Sequence, residues 1–386
     1  MADNATAKKK VSLCMIVKNE SRVIERCLAS VLPVIDYWVI VDTGSTDGTQ
    51  EKIKKFFDNV GIPGELHERP WKNFGHNRSE ALELAHKNND IDYCLMIDSD
   101  EVLQFDPGFD PDKFKEGLTA DLYNVFAFYG NTRYHRPQLT SNKLRYYYRG
   151  VLHEYVDCHD EVKTRDFAKG FTNTPIQDGA RSQNPTKYAD DAKMFEEALK
   201  GEVDPKDFNR YHFYLAQSYR DSQQWEKSLE AYLKRANLGG WNEEVFYSLF
   251  QVGRIREILK HSIDDIVASY WQAYQIAPWR AESLWAAARV CRIAGRFDQA
   301  YRFSKQAVKI KYPEGALFVA QPVYDWMILD EYAIAAYWTE NYREARNASM
   351  KLLQEGKFPP DQKERLEANL KFSTEAIVNQ SETVTA

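Results

Sequence analysis

The period of the sequence changes near residue 180, and this constrains the fold more than any other feature. Before that point short β-rich runs alternate with helical stretches. After it, from about Pro185, the pattern is helical almost throughout. Val11–Val17 reads as a buried strand. The stretch 21–32 follows with Val23, Ile24, Cys27, Leu28 and Val31 at helical spacing. Further strands are expected over 38–41, 65–69, 93–97, Leu122–Tyr129 and 144–148, with helices from Asp47, as N-cap, to Phe57 and over 78–87. Strand–helix alternation of this kind predicts a mostly parallel, Rossmann-like sheet covered by helices on both faces. We therefore expect an α/β domain over 1–180 and an all-α domain over 181–386.

The second part contains an internal echo. Fragments beginning at Trp225, Phe297 and Tyr342 each place an aromatic three residues before a small residue, and Ile263–Ile266 is a weaker copy. Their spacings are 38, 34 and 45 residues. Each fragment is expected to open the second helix of a pair, packed on small residues such as Ala216, Ala287, Ala288 and Ala333. Periods of this length with paired helices indicate an α-solenoid.

Composition narrows the function. Aromatic residues make up 13% of the chain, and no apolar run reaches the ~18–20 residues of a membrane helix. The N-terminus has lysines but no apolar core after them, so no secretory signal is expected. Five cysteines without a CxxC pair fit reduced thiols and a cytoplasmic setting rather than a disulfide framework. Residues 1–180 carry 23 basic and 28 acidic side chains, net −5, out of −6 for the whole chain. That is not the basic body of a protein that binds nucleic acid non-specifically.

Three motifs carry the chemistry: Lys18-Asn19-Glu20 after the first strand, Asp42 to Thr49 after the second, and Asp98-Ser99-Asp100-Glu101 after a later one. All lie at carboxyl ends of expected strands, the edge where open parallel sheets bind ligands. Asp42 can accept from a nucleobase N–H or ribose hydroxyls. Gly44 and Gly48 permit tight turns. Asp98 and Asp100, two apart on an extended segment, would point the same way and suit Mg²⁺ or Mn²⁺. Any one of these motifs is ordinary turn chemistry; their order at successive strand ends is not. A nucleotidyltransferase would show glycines in the first loop, and Lys18-Asn19-Glu20 has none.

Val11 to Glu154 resembles a family 2 glycosyltransferase of the GT-A fold, on LCMIVKNE, VDTGSTDGT, NRSEALELA, LMIDSDE and GVLHE. The resemblance implies inverting, metal-dependent transfer of one sugar from a nucleotide-sugar, usually a UDP-sugar. It places Asn19, Glu20, Asp42, Arg78, Asp98 and Asp100 at the donor, and Mn²⁺ or Mg²⁺ on Asp98, Asp100 and His153. Glu154 becomes the base that deprotonates the acceptor, with Asp157 and Glu101 as rivals, and Asp100 acts with it. The later segments around Asp178–Arg181, Arg210–Asp221 and Gly239–Glu244 are similar to bacterial transferases that carry tetratricopeptide repeats, a peptide S-glycosyltransferase among them. The helical part would present a peptide, protein or glycan acceptor, or join two copies as a homodimer. A modified DNA base as acceptor would need a basic groove that the charge does not advertise. A non-catalytic repeat scaffold is the remaining alternative, and the intact Asp98/Asp100 pair argues against it.

Overall fold

A computed structural model describes residues 8–129 and 132–385. The chain divides into two compact units between Ala198 and Leu199. The first contains β1 (Val11–Val17), α1 (Ile24–Val31), β2 (Tyr37–Asp42), α2 (Thr49–Val60), β3 (Gly64–Glu68), α3 (Phe74–His86), β4 (Tyr93–Met96), β5 (Glu101–Phe105), α4 (Pro111–Glu116), β6 (Leu122–Tyr129) and β7 (Thr132–Ser141). It continues with β8 (Tyr146–Arg149), β9 (Tyr155–Cys158), β10 (Arg165–Phe167), β11 (Phe171–Pro175) and α5 (Lys187–Lys200). The division falls later than the expected break at 180 because α5 packs into the first unit. Arg181 bonds Asp191, and the ring of Phe195, fully buried, lies parallel to and offset from that of His153, centroids 6.3 Å apart.

The main sheet runs β3-β2-β1-β4-β7-β6-β11-β5, with β10 also on β6. β3, β2, β1 and β4 are mutually parallel, so Asn19, Asp42 and Asp98 emerge from one edge. β7 enters antiparallel between β4 and β6, which makes the sheet mixed. Among the described residues β8 is not part of it and pairs with β9 alone, in a separate hairpin. Alternation along β1 sends Leu13, Met15 and Val17 to the face covered by α1 and α2, with Cys27, Leu28, Ile53 and Phe57. Cys14 goes to the opposite face with Leu82 and Ala85 of α3. Cys14, Cys27, Cys94 and Cys291 are buried as small core residues and Cys158 is half-buried; all five are free thiols.

Two expected boundaries shift for local reasons. Asp47 does not cap α2. Gly48 sits at that position with φ 86°, and the Asp47 carboxylate ties back to the Thr49 and Ser21 amides at 3.1 and 3.0 Å. α3 begins at Phe74 rather than 78, because Asn73 caps it by accepting from the His76 amide at 2.8 Å.

The second unit is a run of antiparallel helix pairs: α6 (Pro205–Asp221) with α7 (Trp225–Asn237), α8 (Asn242–Ile258) with α9 (Ile263–Ile276), α10 (Glu282–Ile293) with α11 (Phe297–Ala307), and α12 (Ile328–Trp338) with α13 (Tyr342–Glu355). α14 (Lys363–Thr385) follows. All four second helices open at the residues picked out by the sequence echo. The small residue three positions on is buried each time: Ser228, Ala300 and Ala345, with Ile266 in the weaker copy. The turns inside the pairs are built alike. Gln223, Lys260, Gly295 and Glu340 are all left-handed, and the next residue's amide reaches back five residues to a carbonyl, as in Gln224 to Tyr219 and Arg296 to Cys291, both 2.8 Å. In α8 the close-packing residue is Gly253, where a Cβ would stand 2.4 Å from the Tyr270 ring. The longest spacing, between the last two pairs, accommodates a loop and a π turn at Val323–Met327. No helix among the described residues is long and apolar enough to cross a membrane.

Candidate active site

The first two motif loops serve each other. Asn19, left-handed at φ 58°, donates its own amide to Ser45 Oγ at 2.8 Å, while its Oδ1 accepts from the Thr46 amide at 2.8 Å. The Glu20 amide donates to Thr49 Oγ1 at 2.9 Å. Asn19 is thus engaged in joining the loops. Asp42 is fully buried. Its Oδ1 accepts from the Gly44 and Ser45 amides at 2.9 and 2.8 Å and from Gln50 Nε2 at 3.1 Å. Its Oδ2 has no partner among the described residues, so one carboxylate oxygen remains for a donor group from outside the chain.

Asp98 to Glu101 is a turn, not an extended segment, closed by the Glu101 amide on the Asp98 carbonyl at 3.0 Å. The two aspartates therefore face different neighbours. Asp98 bonds the Arg78 guanidinium. Burial works against its charge, but Arg78 and Arg136 prevail and hold it below the usual carboxylate range. Asp100 turns toward Gly179, where an added Cβ would lie 3.1 Å from Asp100 Oδ2 and 3.0 Å from Glu20 Oε2. Among the described residues neither Asp100 nor Glu20 forms an ion pair with a cationic side chain. Burial first, and then Asp98, raise Asp100. Burial, opposed by the Ala180 amide and reinforced by Asp100, Asp47 and Asp98, pushes Glu20 up to about 7.

Arg78 joins the third motif to the GVLHE segment, Gly150 to Glu154. Its Nε lies 2.7 Å from Glu154 Oε1, and the two side chains are 11% and 12% exposed. Burial opposes the guanidinium charge, but Asp98 and Glu154 raise its pKa further. The contact follows from how α3 docks. The Phe74 amide donates to the Val151 carbonyl at 3.2 Å, and the Tyr148 amide to Ser79 Oγ at 2.8 Å. Gly75 is obligatory at this crossing, since a Cβ would stand 2.2 Å from the Gly150 carbonyl oxygen. Gly150 itself is left-handed at φ 103°. The result is a cleft of about 150 Å³ whose lining includes Arg78, Asp98, Arg136, Tyr148 and Glu154.

Other expected residues lie elsewhere. His153, left-handed at φ 51°, is exposed and turns its ring to Phe195. It is not brought to Asp98 and Asp100 as a third ligand: among the described residues no three His, Cys, Asp or Glu side chains form a ligand set for a metal. Glu101 is 3% exposed, pairs with Arg136 and accepts from Asn173 Nδ2 at 2.8 Å, which makes it a buried anchor rather than a base. Asp157 is held by Tyr147 Oη at 3.0 Å and lies outside the cleft lining. Arg136 is the site residue that sequence reasoning missed.

Glu20 supports a test by pH. A carboxyl raised in the fold contributes stability that is complete below about 4.5 and lost as pH rises through about 7. Without divalent cations, Glu20→Gln is expected to melt above the parent protein at pH 8 and level with it near pH 4.5. A difference that does not grow with pH would contradict the burial and repulsion described.

The family model described as Glycosyl transferase family 2 matches residues 12–162. The first unit thus carries a family 2 glycosyltransferase domain. Among curated relatives, the lipopolysaccharide core biosynthesis glycosyltransferase LpsC of Rhizobium meliloti is 32% identical over 96 residues, 25% of this chain and 33% of that one. Glycosyltransferase SunS of Bacillus phage SPbeta is 31% identical over 116 residues, 30% of this chain and 24% of that one. A TPR repeat-containing protein of Synechococcus elongatus is 35% identical over 97 residues, 25% and 22% of the two chains. Such matches span 22–40% of the relatives' own lengths. Among solved structures, a tetratricopeptide repeat protein from Parabacteroides merdae aligns with 52% of this chain and 70% of its own, at TM-score 0.36 and 12% identity.

Proposed function

We propose that the first unit transfers a single sugar, with inversion, from a nucleotide-sugar, most simply a UDP-sugar, to a peptide, protein or glycan acceptor. The observation that carries this is Arg78. It forms ion pairs with Asp98 and Glu154 at once and so draws a strand-end Asp motif, a helix and a distant loop into one cleft. Asp42, with its free buried oxygen, receives the nucleoside. Glu154 takes the proton of the acceptor hydroxyl or thiol. The acceptor atom then bonds the sugar's anomeric carbon, the bond from that carbon to the phosphate oxygen breaks, and the electron pair leaves with the nucleoside diphosphate.

A divalent cation, Mn²⁺ or Mg²⁺, fits the uncompensated pair Asp100 and Glu20, with Asp98 beside them. These residues give an incomplete ligand set, which diphosphate oxygens would complete. When bound it would neutralise charge on the leaving diphosphate. The acidic balance of 1–180 disfavours a DNA base as acceptor. The five free thiols support a reducing, cytoplasmic setting.

Melting the intact protein with UDP, GDP and CDP, each with and without Mn²⁺, tests the reading. UDP is expected to raise the melting temperature, and more so with Mn²⁺. No shift with any nucleotide would contradict it.

A further inference from the structure

One charged side chain of the cleft has no role in the scheme above, and the fold makes a specific irregularity to place it. Pairing of β7 with β6 steps from Tyr123–Leu139 to Asn124–Pro137, so Gln138 is the extra residue of a bulge. Bulges beside active sites re-aim side chains, and Pro137 has no N–H to lose there. Gln138 is turned onto β4, where its Nε2 donates to the Met96 carbonyl at 3.0 Å. Arg136 enters the cleft near Asp98.

One end of its guanidinium is fixed by the buried Glu101. Glu101 is itself fixed by Asn173 and by the Asp98 amide at 3.2 Å. The rest is not consumed. Among the described residues Nε of Arg136, like that of Arg78, has no hydrogen-bond partner, but Arg136 pairs with one carboxylate where Arg78 pairs with two, and its side chain is 34% exposed against 11%. Strand order along the sheet edge, β2, β1, β4, β7, sets out Asp42, then Asn19 and Glu20, then Asp98, then Arg136. A nucleotide-sugar lying from Asp42 along this edge brings its diphosphate to Asp98 and the phosphate nearer the sugar toward Arg136.

We propose that Arg136 donates to the distal phosphate of the sugar donor, the phosphate whose oxygen keeps the electron pair when the sugar leaves. The inference rests on the transferase reading. A guanidinium with donors to spare suits a phosphate better than a single ammonium does.

Calorimetric titration of the intact protein with UMP and with UDP, at constant Mn²⁺, separates the cases. Arg136→Lys keeps a charge beside Glu101 but replaces the planar fork of guanidinium donors with a single ammonium. The double change Glu101→Gln with Arg136→Gln removes the buried charge together with its partner, so that neither strands the other. Both are expected to weaken UDP about ten-fold or more and to leave UMP unchanged. Equal weakening of UMP and UDP would make Arg136 a structural residue and overturn the proposal, as would undiminished UDP binding. A parent protein that binds neither nucleotide would overturn the transferase reading and this one with it.

Discussion

Glu154→Gln is expected to lower the turnover of sugar transfer by about 10²–10⁴-fold while leaving nucleotide affinity nearly unchanged. Glutamine fills the same space and its amide oxygen can still accept from Arg78, so the cleft keeps its shape; what is lost is the capacity to take a proton. The loss should appear in kcat rather than in donor KM, because the carboxylate acts on the acceptor. Asp157→Asn serves as the comparison. That carboxylate is tied to Tyr147 Oη and the Cys158 amide outside the cleft lining, and its replacement should leave transfer within a few-fold of the parent. A large loss in Asp157→Asn with full activity in Glu154→Gln would reverse the assignment.

Asp100→Ala is expected to have two effects of opposite sign. The Mn²⁺-dependent part of UDP binding should disappear, with donor turnover falling by at least about 10²-fold. The ligand-free protein should melt no lower than the parent, because burial and Asp98 raise Asp100, and Asp100 in turn helps to raise Glu20. Functional groups that repel in the empty site commonly cost stability. A variant that binds UDP with full metal dependence would place the cation elsewhere. A variant that loses stability in parallel with binding would make Asp100 a structural residue.

Much of this arrangement was legible in the sequence, for identifiable reasons. Strands β1, β2 and β4 are short apolar runs followed directly by their motifs, so local pattern alone places Asn19, Asp42 and Asp98 at strand ends. Parallel pairing then brings those ends to one edge. The repeat was legible because each second helix opens with the same aromatic-to-small step, which buries Ser228, Ala300 and Ala345. What escaped depends on pairing between distant segments. Arg136 reaches the cleft only because β7 runs antiparallel between β4 and β6 and bulges at Gln138. The dipeptide Arg136-Pro137 was the available signal, since a proline inside a strand marks an irregularity. The expected metal role of His153 follows from the resemblance of the segment 150–154 alone. The left-handed backbone at His153 turns its ring to Phe195 of α5, a contact 42 residues away that no local pattern reveals. The separation of Asp98 from Asp100 had a similar cause: an alternating pair was read as extended, whereas the chain turns there to begin β5.

The central claim is that the cleft between Asp98 and Glu154 performs glycosyl transfer with Glu154 as the base. The most direct measurement is release of UDP from a panel of UDP-sugars by the intact chain with Mn²⁺, run beside Glu154→Gln under the same conditions. The account predicts release from at least one donor, dependence on the metal, and a fall of about 10²-fold or more in the variant. Release at the parent rate in Glu154→Gln, or none from any donor, would contradict it.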